Sequence, residues 1–179
     1  MAETATGTNI ASATKVRPFR PLDHRACRDL WAELTEEERR LYDDPRIGGN
    51  DPGAGFEQYV ARLELSGMWV ADHAEDGVIG FVGLILQGRK GEVEPIVVTR
   101  RYRRGGVGNA LLDRVAAEAR RRRLRQLTIT PSTRNEEAIR SFHRAGYQAL
   151  EHVTLTYDLV EGGSRWQDGI DLHGARFRY

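Results

Sequence analysis

Arg103-Arg104-Gly105-Gly106-Val107-Gly108 is the stretch on which the reading of this 179-residue chain turns. An apolar segment precedes it, Val93 to Thr99, centred on Ile96, Val97 and Val98. A helix-like segment follows, beginning near Val107 and running through Ala110-Leu111-Leu112 to about Arg122. Strand, glycine-rich turn and helix in that order make an anion site. Glycine lets the backbone approach a ligand closely, and the first helical N–H groups have no partner inside the helix. The helix N-terminus adds roughly half a positive charge, so the pattern predicts a phosphate or pyrophosphate site. Two familiar phosphate loops are excluded. No Gly-x-x-x-x-Gly-Lys-Ser/Thr occurs, and Leu111 stands where Gly-x-Gly-x-x-Gly would need its third glycine.

What remains is Arg-x-x-Gly-x-Gly, read as Arg103, Gly106 and Gly108, preceded by Val98-Thr99-Arg100-Arg101-Tyr102. A second motif lies downstream. After the apolar segment Leu127-Thr128-Ile129-Thr130 come Asn135, Ala138, Phe142, Gly146 and Tyr147, in the order Asn-x-x-Ala, an aromatic four residues on, then Gly-Tyr. Together the two motifs resemble those of the GNAT superfamily of acyl-CoA-dependent N-acyltransferases, over about residues 15 to 160. The resemblance implies a mixed, mainly antiparallel α/β (α+β) sheet flanked by helices. It implies an acetyl-CoA-dependent N-acetyltransferase that works by direct attack through a ternary complex.

The resemblance also distributes roles. The loop Arg103, Arg104, Gly105, Gly106, Val107, Gly108 and Asn109 is expected to hold the CoA phosphates. The strand at Ile96, Val97 and Val98 is expected to hold the cofactor arm through its backbone, with Val97 the first candidate to donate an N–H to the thioester carbonyl. From the second motif, Asn135, Ala138 and Phe142 are candidates for the cofactor site. Asn135 reads equally well as a helix N-cap. The chain departs from the family at Phe142, where many relatives carry a tyrosine whose hydroxyl protonates the leaving thiolate. Phenylalanine has no proton to give, so the general acid is left unassigned.

Glu94 is the first candidate for general base and Glu92 the second. They share a face if the strand alternates with period two, and a carboxylate here can take a proton from an attacking amine. The acceptor side is less specific. Glu36-Glu37-Glu38, Asp43-Asp44, Asp51 and Glu57 are interleaved with Tyr42 and Phe56, a mixture suited to a polycationic small molecule such as an aminoglycoside-like antibiotic. The same residues also describe an ordinary solvated helix face. Two alternatives stay open: acetylation of a protein N-terminus or a polyamine, and a CoA-binding regulator with little catalysis.

Composition bounds the rest. Lys and Arg total 27 against 26 Asp and Glu, for a net charge of +1, which gives no strong field toward nucleic acid or membrane. The basic residues are clustered: Arg100, Arg101, Arg103 and Arg104 at the loop, and Arg120 to Arg123 with Arg125 at the end of the following helix. The second cluster reads as cations complementing a helix C-terminus. One cysteine, Cys27, excludes an internal disulfide. His73, His143, His152 and His173 lack metal-ligand spacing, so no metal is expected. A cytoplasmic protein is expected, with residues 1–14 as a disordered leader rather than an export signal.

Hydrophobic periodicity predicts the elements. Strands are expected at Lys15–Phe19, Met68–Asp72, Val78–Leu86 and Val93–Thr99, at the apolar segment Leu127–Thr130, and in a last segment where Val153, Leu155, Tyr157 and Leu159 alternate. Helices are expected at Leu22 to Leu41, Phe56 to Leu65, from Val107 onward and after Asn135. Residues 161–179 carry Trp166, Phe177 and Tyr179. This extension is expected to close over the acceptor site, extend the sheet or pair two copies as a homodimer.

Overall fold

The computed structural model describes residues 13–62, 67–159 and 166–179. Strand β1 (Thr14–Pro18) leads through a short 3-10 turn at Pro21–Asp23 into α1 (His24–Tyr42) and α2 (Gly55–Arg62). Strands β2 (Met68–His73), β3 (Gly77–Gln87) and β4 (Lys90–Val98) follow. A second 3-10 turn, Arg100–Tyr102, precedes α3 (Val107–Arg121), β5 (Gln126–Thr128) and α4 (Glu136–Arg144). Strands β6 (Asp168–Leu172) and β7 (Ala175–Arg178) come last. The expected leader lies outside the described residues apart from its last two, and so does the expected end of α2 beyond Arg62.

One sheet has the order β1-β2-β3-β4-β5. Its first three pairings are antiparallel, and β4 with β5 is parallel. This is the mixed, mainly antiparallel α/β class that the sequence predicts. Antiparallel neighbours need only short turns: Gly77 ends one at φ 69°, and Gly88 occupies the next at φ 62°.

Strand alternation sorts the core into two faces. Met68, Val70, Phe81 and Val97 pack with Cys27 and Leu30 of α1 and Phe56 and Tyr59 of α2. Trp69, between Met68 and Val70, points to the other face, where the Arg114 guanidinium of α3 lies 5.1 Å from its ring centroid. Leu111, Val115 and Ala119 form the buried stripe of α3, as their spacing predicts. Each fully buried residue such as Phe81 contributes roughly 1.5–3 kcal/mol of transfer free energy. Leu22 is 94 % exposed, so the helical stripe starts after it. The core of α1 begins at Cys27.

The described residues fall into two compact units. One contains the five-stranded sheet, α1 as far as Arg40, α2 and α3, and takes in Asp44–Thr130; the other is Leu41–Asp43 with Pro131–Tyr179. In the second unit the Tyr42 hydroxyl and Ser132 Oγ lie 2.7 Å apart, and Arg134 lies 4.8 Å over the Tyr42 ring. Strands β6 and β7 pair antiparallel with each other as a separate two-stranded sheet.

The predicted strand at Val153–Leu159 is not formed. Residues 148–158 have no regular structure, and Leu155, Tyr157 and Leu159 are 68, 86 and 89 % exposed. Alternation gives a segment two faces but no partner, and a strand needs a ladder beside it. Among the described residues, none pairs with this one.

Candidate functional site

The site begins at an irregularity in β4. Leu84 of β3 pairs with Val93, but Val82 pairs with Ile96. Two residues of β4, Glu94 and Pro95, therefore stand opposite the single Gly83. This is a β-bulge, which unpairs residues locally and re-aims the strand. Pro95 belongs there because it has no N–H to give to a ladder. The bulge also breaks the alternation that the sequence predicts across Val93–Thr99. Val93 pairs with Leu84 and Val97 with Phe81, so these two valines face opposite sides of the sheet. Glu92, paired with Ile85, is on the Phe81 side. Glu94 sits in the bulge itself and is exposed.

Different contacts hold the two glutamates. Glu92 accepts from Gln87 Nε2 at 2.8 Å and from Thr130 Oγ1 at 3.4 Å. Glu94 is held by its main chain, because its carbonyl oxygen accepts from the Tyr59 hydroxyl at 2.6 Å.

Beyond the bulge, one edge of β4 is open. β5 pairs only with Lys90, Gly91 and Glu92, and no described strand covers that edge from Val93 onward. Thr99 N–H donates to Ile79 O, so ladder alternation turns Val97 N–H toward β3 and Val98 N–H toward the open edge. Val98 O also faces away from β3, where it accepts from Arg103 Nε at 2.9 Å. Of the two valines, Val98 presents its N–H to the open edge, not Val97.

The loop continues from this edge. Arg104 and Gly106 have φ of 62° and 85°, and alternation of left-handed residues gathers successive N–H groups into a concavity that suits an anion. The first intrahelical bond of α3 runs from Ala110 N–H to Gly106 O. The N–H groups of Val107, Gly108 and Asn109 thus precede the helical ladder. A Cβ added at Gly108 would meet nothing within 4 Å, so space lies open over the helix start. These residues fit a pyrophosphate.

Arg103 does something else. Its guanidinium forms a fork onto Glu37 of α1, with Nη1–Oε1 at 2.8 Å and Nη2–Oε2 at 2.5 Å. Arg103 beside it holds the Glu37 carboxyl below the usual range. The side chain therefore ties α1 to the end of β4, while the loop backbone offers the anion site. Arg104 is exposed.

A cleft of about 570 Å³ runs between α1 and residues 99–103. Asp29, Glu33, Glu36 and Glu37 line one wall and Arg100, Arg101 and Arg103 the other. The acidic segment expected to face a cationic acceptor is largely neutralised internally. Arg39 pairs with Glu36, Arg46 with Asp44, and Arg28 with both Asp51 and Glu57. Phe56 is fully buried and belongs to the core rather than to an acceptor surface.

The second motif lies in the other compact unit. Asn135 is the N-cap of α4, its Oδ1 accepting from Ala138 N–H at 3.0 Å. Phe142 packs edge-on against Tyr147 at 6.3 Å between centroids. Tyr59 and Gly83 are what the sequence reading missed. A glycine inside a strand is the one available signal, since it often marks a bulge or a close backbone approach.

Comparison with known proteins places this geometry. Residues 24–147 match the model of the acetyltransferase (GNAT) family. No curated protein matches the chain. Among solved structures, a GNAT-family acetyltransferase from Staphylococcus aureus Mu50 is similar, at 17 % identity and a TM-score of 0.62, covering 75 % of this chain and 84 % of that one. Rv2747 from Mycobacterium tuberculosis, solved with CoA and NLQ, is 21 % identical with a TM-score of 0.57, covering 79 % and 76 %. The aminoglycoside acetyltransferase meta-AAC0020 from an uncultured soil metagenomic sample, solved with trehalose, is 14 % identical with a TM-score of 0.58, covering 85 % and 99 %. At these identities the likeness is one of fold.

Proposed function

This chain belongs to the acetyltransferase (GNAT) family and is an acyl-CoA-dependent N-acyltransferase, and from that premise we propose that it acetylates a primary amine of a small molecule with acetyl-CoA. The observation that carries the reading is the open edge of β4, with Glu94 in the bulge at one end and the α3 N-terminus at the other. When bound, acetyl-CoA supplies an activated acetyl thioester. The N–H groups at Gly106 to Asn109 hold its phosphates, and the helix start favours their charge. Val98 N–H, turned to the open edge, offers a donor to an acyl oxygen. Glu94 takes a proton from the acceptor's ammonium at its carboxylate, directly or through a water, which leaves the neutral amine to attack. In the balance of the reaction an amide N–C bond forms, a thioester C–S bond breaks, and CoA thiol is released.

For the acceptor we keep an aminoglycoside-like antibiotic as the first candidate, supported by the fold shared with an aminoglycoside acetyltransferase. The arginine pairing of the α1 and α2 carboxylates gives that choice no added weight over a polyamine or peptide amine.

The test is release of CoA thiol from acetyl-CoA against a panel of aminoglycosides, polyamines and short peptides. Cys27 does not interfere in the folded protein: it is fully buried, and burial pushes its thiol up to about 12. Amine-dependent turnover is expected, and Glu94→Gln should lower kcat/KM by roughly 10²–10⁴. Acetyl-CoA binding without turnover on any amine would overturn the enzymatic reading in favour of a CoA-binding regulator. Turnover untouched by Glu94→Gln would remove Glu94 as the base.

A further inference from the structure

We propose that Tyr59 is a positioning residue for the acyl transfer, holding Glu94 in place through the main chain. The inference rests on the reading of Glu94 as base.

Four features converge on one hydrogen bond. The bulge sets Glu94 and Pro95 opposite the single Gly83, where the β3–β4 register shifts. The Tyr59 hydroxyl, on a side chain only 6 % exposed, donates to that carbonyl at 2.6 Å. Gly83, across from the bulge, makes the slot: a Cβ there would lie 1.6 Å from Tyr59 Oη and 2.4 Å from Glu94 O. The Tyr59 ring is wedged against Trp31 of α1 at 5.3 Å between centroids, and Trp31 stacks in turn on Phe81 of β3 at 6.5 Å.

The physical logic is reciprocal. A buried hydroxyl needs a partner, and so does a main-chain carbonyl at an irregular point of a sheet. Each here satisfies the other. The bond therefore fixes the peptide plane of Glu94, and with it the direction of a carboxylate that would otherwise ride on the most irregular part of the sheet. Burial pushes the Tyr59 hydroxyl well above its ordinary range, so it stays a neutral donor across the working pH. Tyr59 touches neither reacting atom. It acts through Glu94, and a displacement of about 1 Å at a catalytic group costs on the order of 10²-fold in rate.

The experiment is a cycle of Tyr59→Phe, Glu94→Gln and the double variant in the full-length protein. Thiol release and acetyl-CoA binding are measured well below each variant's unfolding midpoint. Tyr59→Phe keeps the ring and its contacts with Trp31, and removes only the donor. It should lower kcat roughly ten- to a hundredfold with the acetyl-CoA Kd within about twofold of the parent. The double variant should fall no further than Glu94→Gln alone, as expected of two groups acting as a unit. Losses that multiply in the double variant, or a Tyr59→Phe enzyme as fast as the parent, would overturn the positioning role while leaving Glu94 as base. A harmless Glu94→Gln alongside a damaging Tyr59→Phe would instead remove the reading of Glu94, and this inference with it. Should Tyr59→Phe not fold, the cycle is run with Trp31→Phe, which loosens the ring behind the hydroxyl; non-additivity with Glu94→Gln supports the role and additivity overturns it.

Discussion

Single residues decide how the site is built, and the clearest is Gly83. A side chain there has no room, because the Tyr59 hydroxyl occupies the space its Cβ would take. Gly83→Ala must push Tyr59 aside or flatten the bulge. Overpacking of this kind costs about 1–3 kcal/mol, and the expected outcome is a lowered urea midpoint together with reduced turnover. An unchanged midpoint would mean that the bulge yields without cost. Arg103 shows the same dependence on neighbours. From sequence it is a phosphate partner, as any arginine beside a glycine-rich loop would be. In the structure its fork is spent on Glu37 and its Nε on Val98 O.

At the scale of elements, the joint between α1 and β4 matters most. Arg103 ties the carboxylate of Glu37 to the end of β4, and both side chains are mostly buried, at 28 and 20 % exposure. Arg103→Ala leaves that carboxylate without its fork and should cost roughly 1–3 kcal/mol. A denaturation cycle with Glu37→Gln isolates the pair: the second change should cost little once the first is made. Strictly additive losses would show that the two side chains act apart. Periodicity made α1, α2, α3 and β1 to β4 legible, since each shows an apolar stripe at its own period. It failed at Val153–Leu159 because pairing is a relation between segments, often far apart in the chain, and a pattern within one segment does not encode it.

On the scale of the whole molecule, stability is linked to acid through carboxylates held down by their partners, among them Asp23, Glu37 and Glu118. Arg17 holds Asp23 below its ordinary value, Arg103 does so for Glu37, and Arg121 with Arg122 holds Glu118 down to about 2. Each has a folded-state pKa below its unfolded one, so each stabilises the fold above the unfolded value and loses that contribution as pH falls through the folded value. For Glu118 the window runs from the ordinary 4.5 down to about 2. Glu118→Gln should therefore flatten the fall of the unfolding midpoint across that window and leave its dependence above roughly pH 5, the top of ordinary carboxylate titration, nearly as in the parent. A parallel pH curve in the variant would show that Glu118 does not carry the linkage. The same pairing explains part of the Arg120 to Arg123 cluster, in which Arg121 at the end of α3 and Arg122 just after it close on Glu118.

By itself the sequence determined the α/β class, the elements of the main sheet and the loop from Arg103 to Gly108. These are local properties: apolar period, turn chemistry, and glycine where a helix begins at φ 85°. The family follows from motifs of the same local kind. Tertiary structure alone decided that Val98 rather than Val97 presents its N–H to the open edge, because that depends on which residue of β3 lies opposite. It also decided that Glu94 sits in a bulge pinned by Tyr59, a residue 35 positions away. Register, bulges and buried side-chain partners arise from how distant segments meet, and no single segment carries that information.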